Sequence, residues 1–184
     1  MVKLVGISGS LRNRSFNTSL LNAAAEHLPD GVTLTKGTIS GIPLYNADDE
    51  AEGIPQAVTV LKRQISEADG VILFTPEYNN SIPGVFKNAI DWLSRPHPDI
   101  ADVFKGRPFA IAGASPGNFG TLLSQNAWLT VLHTLGADAW SGKRLMVGSA
   151  AKVFDAEGRI TDEAVAKRLG DFVGGFAAYV AAKG

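Results

Sequence analysis

The chain of 184 residues contains no cysteine and only three histidines. Without cysteine it can form no disulfide, no thiolate nucleophile, no iron–sulfur cluster and no zinc site built on thiolates. His27, His97 and His133 are scattered along the sequence and show no metal-ligand spacing with carboxylates. We therefore predict no metal site and interpret the histidines as ordinary surface or interface residues.

A strong charge of one sign and long apolar runs are also missing. The formal net charge is −1, and no basic block or basic helix face is present, so we do not expect nucleic acid as a partner. No apolar run approaches the length of about 20 residues that crosses a bilayer. Met1 leads directly into a strand pattern without the features of a signal peptide. We expect a cytoplasmic protein with no membrane partner.

Apolar runs that alternate with helical patterns indicate the fold class. Strand patterns cover residues 3–7, 33–36, 70–74, 108–114 and 143–147, and helical stripes cover about 17–27, 55–68, 85–93 and 119–135, with a last helix starting near Thr161. Strands that are apolar at every position are typical of parallel sheets covered on both faces. We predict one α/β domain over residues 1–184, a doubly wound five-stranded parallel sheet of flavodoxin-like order 2-1-3-4-5 with helices on both faces.

The segment after the first strand has the composition of a phosphate site. Residues 8–17 read Ser-Gly-Ser-Leu-Arg-Asn-Arg-Ser-Phe-Asn. A helix N-terminus attracts anions, Ser10, Ser15 and Asn17 add side-chain donors, and Arg12 adds a planar cation. The glycine fingerprints of nucleotide hydrolases and of dinucleotide-binding folds are both missing. We therefore predict a site for a terminal monoester phosphate, as in FMN. An ordinary turn capped by Ser or Asn is the alternative.

Two further loops fall at the same edge of the predicted sheet. Residues 75–84 contain two prolines and form a stiff loop, in which Pro76 and Tyr78 can provide an apolar shelf for a planar ring and the backbone near Glu77 and Asn79 its polar contacts. Residues 113–120 contain three glycines, which let the backbone approach a ligand closely. Each loop alone could be an ordinary connection. The convergence of three such loops favours a ligand site.

Three stretches of the chain resemble a known family. They are residues 6–12 with Ser15 and Asn17, residues 76–84 (Pro-Glu-Tyr-Asn-Asn-Ser-Ile-Pro-Gly) and residues 87–92 (Lys-Asn-Ala-Ile-Asp-Trp). They are similar to the NAD(P)H-dependent FMN reductases, a family that includes bacterial quinone, chromate and azo-dye reductases. The resemblance implies a flavodoxin-like fold, noncovalently bound FMN, NAD(P)H as electron donor, and a homodimer or homotetramer with the flavins near the interface.

The resemblance also implies roles for individual residues. It implies that the FMN phosphate is held by Ser10, Arg12, Ser15, Asn17 and the backbone near Phe16, that the isoalloxazine and ribityl are bordered by Pro76, Glu77, Tyr78 and Asn79, and that the pyrimidine side is reached by Ser115 and Gly117. Asn80 stands where the family usually has glycine, and asparagine is the next most tolerant residue if that position requires a positive φ. No residue is expected to be catalytic, because the cofactor carries the chemistry.

These observations predict an enzyme that passes electrons from NAD(P)H through FMN, by a ping-pong sequence, to quinones or similar soluble acceptors such as azo compounds or chromate. Two alternatives stay open. A flavodoxin-type electron carrier would usually be strongly acidic, which the net charge of −1 argues against. A non-enzymatic flavin-binding regulatory module would need an activity assay to distinguish it.

Two other segments carry structural predictions. The helix over 119–135 is apolar nearly all round, which predicts burial on a second side. In a domain of this size that favours a subunit interface, and a helix sandwiched within the domain is the alternative. The acidic run Asp48-Asp49-Glu50 is predicted to be a solvated loop.

Overall fold

The computed structural model describes residues 1–183 and contains one parallel sheet. Its strands are β1 (Val2–Ser8), β2 (Val32–Gly37), β3 (Gly70–Phe74), β4 (Pro108–Ala114), β5 (Asp138–Ala139) and β6 (Leu145–Val147). The spatial order is β2-β1-β3-β4-β5, and β6 also pairs with β4. This order confirms the predicted flavodoxin-like topology.

The fifth position of the sheet is shared by two short strands. β5 pairs with the first two residues of β4, Pro108 and Phe109, whereas β6 pairs with the last three, residues 112–114. The sequence predicted one strand over 143–147. In the structure that strand begins at Leu145, and β5 is an additional strand. The sequence did not predict β5, because a strand of two residues is too short to show a periodic pattern.

Eight α-helices accompany the strands within residues 1–183. They are α1 (Phe16–Glu26), α2 (Ala47–Glu52), α3 (Gln56–Ser66), α4 (Gly84–Leu93), α5 (Ile100–Val103), α6 (Leu122–Thr134), α7 (Ala150–Val153) and α8 (Glu163–Ala181). In this part of the chain we find no helix long and apolar enough to cross a bilayer.

The acidic run that was predicted to be a loop is helix α2, so that prediction was wrong. The side chain of Asn46 caps this helix by accepting a hydrogen bond from the N–H of Asp48. Three acidic residues in the first turn also suit the positive end of a helix. The six residues of α2 are exposed or half-buried, so the run is solvated as expected.

Apolar side chains fill one layer on each face of the sheet. Helices α1, α7 and α8 cover one face, and α3, α4, α5 and α6 cover the other. The buried strand β3 serves both layers, because side chains alternate along a strand: Ile72 and Phe74 enter the first layer, and Val71 and Leu73 the second. This arrangement leaves the carboxyl ends of β1, β3 and β4 at one edge, where the loops to α1, α4 and α6 begin.

Candidate functional site

The three loops at the carboxyl edge of the sheet border one shallow groove. It is lined by Ser10, Arg12, Ser15, Phe16, Asn17, Pro76, Glu77, Tyr78, Ala114, Ser115 and Pro116. All of these except Ala114 and Pro116 are predicted site residues. The two remaining predicted residues, Asn79 and Gly117, directly follow Tyr78 and Pro116 in the same loops. The structure therefore brings together residues that lie about a hundred positions apart in sequence.

Hydrogen-bond donors are concentrated where the groove meets the start of α1. The Ser15 hydroxyl caps this helix by accepting from the N–H groups of Asn17 and Thr18, so its own proton is available to a ligand. Within residues 1–183, no hydrogen bond uses the N–H of Phe16, the first residue of the helix. The Arg12 guanidinium donates to the carbonyl of Arg14 at 3.0 Å and lies 5.4 Å from the centre of the Phe16 ring. This donor set suits a phosphate.

The side chain of Asn17 also forms a structural contact that the sequence did not reveal. Its side-chain oxygen accepts from the N–H of Ala114, and its amide nitrogen donates to the carbonyl of the same residue, both at 2.9 Å. These bonds join the first turn of α1 to the end of β4. One amide N–H of Asn17 remains for a ligand. The sequence could not show this link because the partner lies 97 positions away.

The loop after β3 turns sharply beside the groove. Tyr78 and Ser81 exchange backbone hydrogen bonds of 3.1 and 3.0 Å around Asn79 and Asn80. The φ angles of these two asparagines are 49° and 61°, as in a type I′ turn. Asn80 thus occupies a left-handed position, which asparagine tolerates better than most residues other than glycine.

Glu77 connects this loop to a helix that is distant in sequence. Its carboxylate accepts hydrogen bonds from the N–H groups of Leu123 at 2.8 Å and Ser124 at 3.0 Å. Both belong to the first turn of α6. The family resemblance placed Glu77 at the border of the isoalloxazine ring. No sequence pattern indicated its contact with α6.

A side chain of the loop after β4 closes this loop on itself. Ser115 donates its hydroxyl to the carbonyl of Gly120 at 2.6 Å. Among the described residues, the N–H groups of Gly117, Asn118 and Phe119 make no hydrogen bond. A row of unpaired N–H groups suits a ligand edge rich in acceptors, such as the pyrimidine edge of a flavin. The groove therefore offers phosphate donors near Arg12, and the loop that borders it at Pro116 continues into these backbone donors. This set fits FMN.

Comparison with known proteins decides the family. The profile of the family described as NADPH-dependent FMN reductase matches residues 2–152. The chain belongs to this family. The reductase is 46% identical over 162 residues to the NAD(P)H-dependent FMN reductase of Pseudomonas aeruginosa, which covers 88% of this chain and 86% of that protein. It is 37% identical to the 2-hydroxy-1,4-benzoquinone reductase of a Burkholderia species, over 97% of this chain and 96% of the relative.

A solved relative has the same architecture. The flavoenzyme NAD(P)H:(acceptor) oxidoreductase FerB from Paracoccus denitrificans superposes with a TM-score of 0.87 and 34% identity, over 98% of this chain and 97% of that chain. The predictions of an enzyme, of FMN and of NAD(P)H are thereby confirmed. When bound, FMN supplies the redox chemistry between NAD(P)H and the acceptor. The protein's own residues bind and orient the cofactor and shape the space beside it.

Proposed function

We propose that this FMN reductase reduces quinones or similar small soluble acceptors at the groove on the carboxyl edge of the sheet. The observation that carries the proposal is one open groove lined by phosphate donors near Arg12, together with the unpaired N–H groups of residues 117–119, which directly follow the groove-lining Pro116. Relatives named as quinone reductases support this acceptor class, including one from Pseudomonas putida that is 36% identical over 95% of this chain. Azo compounds and chromate are further acceptors to test.

The proposed contacts follow the three loops. The FMN phosphate is held by Ser10, Arg12, Ser15, Asn17 and the backbone of Phe16; the ring and ribityl are bordered by Pro76, Glu77, Tyr78 and Asn79; and the pyrimidine side is reached by Ser115 and Gly117. Tyr78 has 47% of its surface exposed and offers an aromatic wall to a flat substrate. We assign no catalytic residue. Because NAD(P)H and the acceptor would use the same open face in turn, we propose ping-pong kinetics.

We further propose that the reductase is a cytoplasmic homodimer or homotetramer, with residues 1–184 as one FMN-binding domain. The support for assembly is the exposure of large apolar side chains on α6 and on the loop before it. Leu123 and Leu129 are 43% and 45% exposed, and Phe119 is 82% exposed. Exposed apolar side chains of this size favour contact with another protein surface.

The decisive experiment starts from the purified protein loaded with FMN under anaerobic conditions. Addition of NADPH or NADH should bleach the flavin absorbance, and 1,4-benzoquinone should restore it. Parallel lines in double-reciprocal plots would support ping-pong kinetics. A bound flavin that neither nucleotide bleaches would contradict the proposal in favour of an electron carrier or a regulatory module. Failure to bind FMN would contradict the assignment of all three loops.

A further inference from the structure

The carboxylate of Glu77 ends at the N-terminus of a helix from another part of the chain. One oxygen, Oε2, accepts both hydrogen bonds, from Leu123 and Ser124. Thr121 is the residue that precedes α6, and within residues 1–183 its side chain makes no capping hydrogen bond. The first N–H groups of a helix need outside acceptors and carry the positive end of the helix dipole, so a carboxylate stabilises them. Glu77 supplies the cap that the local sequence lacks.

A second attachment lies beneath this cap, in the core. The hydroxyl oxygen of Thr75 accepts from the indole N–H of Trp128 at 3.0 Å and lies 2.9 Å from the hydroxyl of Ser124. Trp128 and Ser124 are fully buried residues of α6. Between the two attachments stands Pro76, whose ring fixes its own φ. The backbone from 75 to 77 is therefore held by α6 as well as by its own strand.

This fixed segment leads directly into the part of the loop that lines the groove. Within the described chain, the N–H groups of Glu77 and Asn79 make no hydrogen bond, and the turn at 78–81 follows. We propose that Glu77 is a positioning residue: its carboxylate caps α6 and thereby holds the backbone of residues 76–79 where the FMN ring needs it. This inference rests on the proposed function, because it takes the groove to be the FMN site.

Two substitutions can separate the effect of the hydrogen bonds of Glu77, which position the loop, from the effect of its charge. Because a single oxygen accepts both bonds, the amide oxygen of Glu77→Gln can keep them while the charge is lost. Glu77→Ala removes the cap altogether. Asp162→Ala is the matched control, since Asp162 caps α8 by accepting from the N–H of Val165 at 3.0 Å and is outside the residues that line the groove. All variants are made in the full-length protein, with FMN as the probe.

We expect Glu77→Ala to bind FMN about tenfold more weakly, because α6 then no longer holds the backbone of residues 76–79 and FMN binding must order it. The absorption spectrum of its bound FMN should shift, and hydrogen exchange in residues 75–83 of the FMN-free protein should become faster. Glu77→Gln should stay within about threefold of the wild-type Kd, with unchanged exchange and spectrum. Asp162→Ala should lower the Tm and leave the FMN Kd unchanged. If Glu77→Ala does not fold, Glu77→Asp replaces it, because its shorter side chain cannot span to α6.

Two results would overturn the inference. One is wild-type FMN affinity and wild-type exchange in Glu77→Ala. The other is an equal loss of FMN affinity in Glu77→Gln and Glu77→Ala, which would assign the effect to the negative charge of Glu77. The outcome is distinguishable from that of the proposed function: a wild-type protein that binds FMN but is not bleached by NAD(P)H fails the function and still permits the comparison of Kd values.

Discussion

Asn17 illustrates how much of the site depends on bonds between single residues that are remote in sequence. Its amide satisfies both backbone groups of Ala114, a residue at the end of β4 with 2% exposure. A buried N–H or carbonyl left without a partner costs more than the hydrogen bond itself contributed. The side chain therefore contributes to the free energy of unfolding as well as to the groove.

We predict that Asn17→Ala lowers the free energy of unfolding by about 2–4 kcal/mol, because two buried groups of Ala114 lose their partner. Urea denaturation measures this loss. Asn17→Asp is the control: it keeps an acceptor for the N–H of Ala114 but turns an oxygen toward the carbonyl, so its loss should lie in between. A loss below about 0.5 kcal/mol, as for an ordinary surface substitution, would contradict the prediction.

Arg12 is the residue that should matter most for the affinity of the phosphate end. We predict that Arg12→Ala weakens FMN binding by about 1.5–3 kcal/mol, because a charge-assisted hydrogen bond is lost. Fluorescence titration of the FMN-free protein measures the change. Arg14→Ala is a matched control, since Arg14 is a neighbouring exposed arginine outside the residues that line this groove. Equal affinity in the two variants would refute the role given to Arg12.

At the scale of elements, the packing of α6 accounts for its apolar residues on nearly all sides of the helix. Trp128 and Leu132 enter the core, whereas Leu123 and Leu129 remain partly exposed on the outside. The helix is thus packed against the sheet by one side only within a single chain. The sequence pattern allowed either a subunit interface or a helix sandwiched within the domain. In a single chain α6 is not sandwiched.

We predict that Leu129→Lys reduces the molar mass in solution to that of a monomer, because a charge on this face disfavours its burial. Light scattering coupled to size exclusion measures the mass. The control is Val60→Lys, which changes an exposed apolar residue on α3 (39% exposed) and should leave the assembly intact. Identical masses for Leu129→Lys and the wild type would show that α6 is not the interface.

Element by element, the fold was predictable wherever the hydrophobic pattern was long enough. The bounds predicted for β3 and β4 agree with the structure, since both strands are apolar and buried at every position. β5 and α2 were not predictable, because two and six residues show no reliable period. The three loops of the site followed from topology and composition. The bonds of Glu77 to α6 and of Asn17 to Ala114 did not, because they depend on the packed structure.

For the molecule as a whole, Asp138 joins the last helix to the edge of the sheet. This carboxylate of β5 accepts hydrogen bonds from the hydroxyl of Tyr179, at 2.8 Å, and from the ammonium of Lys183. Burial alone would raise the pKa of Asp138, but the hydrogen bonds of Lys183 and Tyr179 and the charge of Lys183 outweigh it and lower the pKa. A pKa lowered by folding means that the ionised form stabilises the folded state.

We predict that Asp138→Asn lowers the free energy of unfolding by about 1–2 kcal/mol at neutral pH. The contribution of Asp138 is present above its unfolded pKa of about 3.9 and is lost as the pH falls through the lower folded value. The difference between wild type and variant should therefore shrink below about pH 4. Urea denaturation at pH 7, 5 and 3 measures it. A difference that stays constant over this range would contradict the assignment.

The cap that Glu77 places on α6 also limits how this protein can be recombined with its relatives. A chimera that exchanges only residues 75–83, to alter the choice of acceptor, combines residue 77 of one parent with the first turn of α6 of the other. The incoming segment must then reach the N–H groups of Leu123 and Ser124 as Glu77 does. A crossover point placed after the first turn of α6 would inherit the loop and its helix start from the same parent, and such chimeras should fold more often than those joined at Gly84.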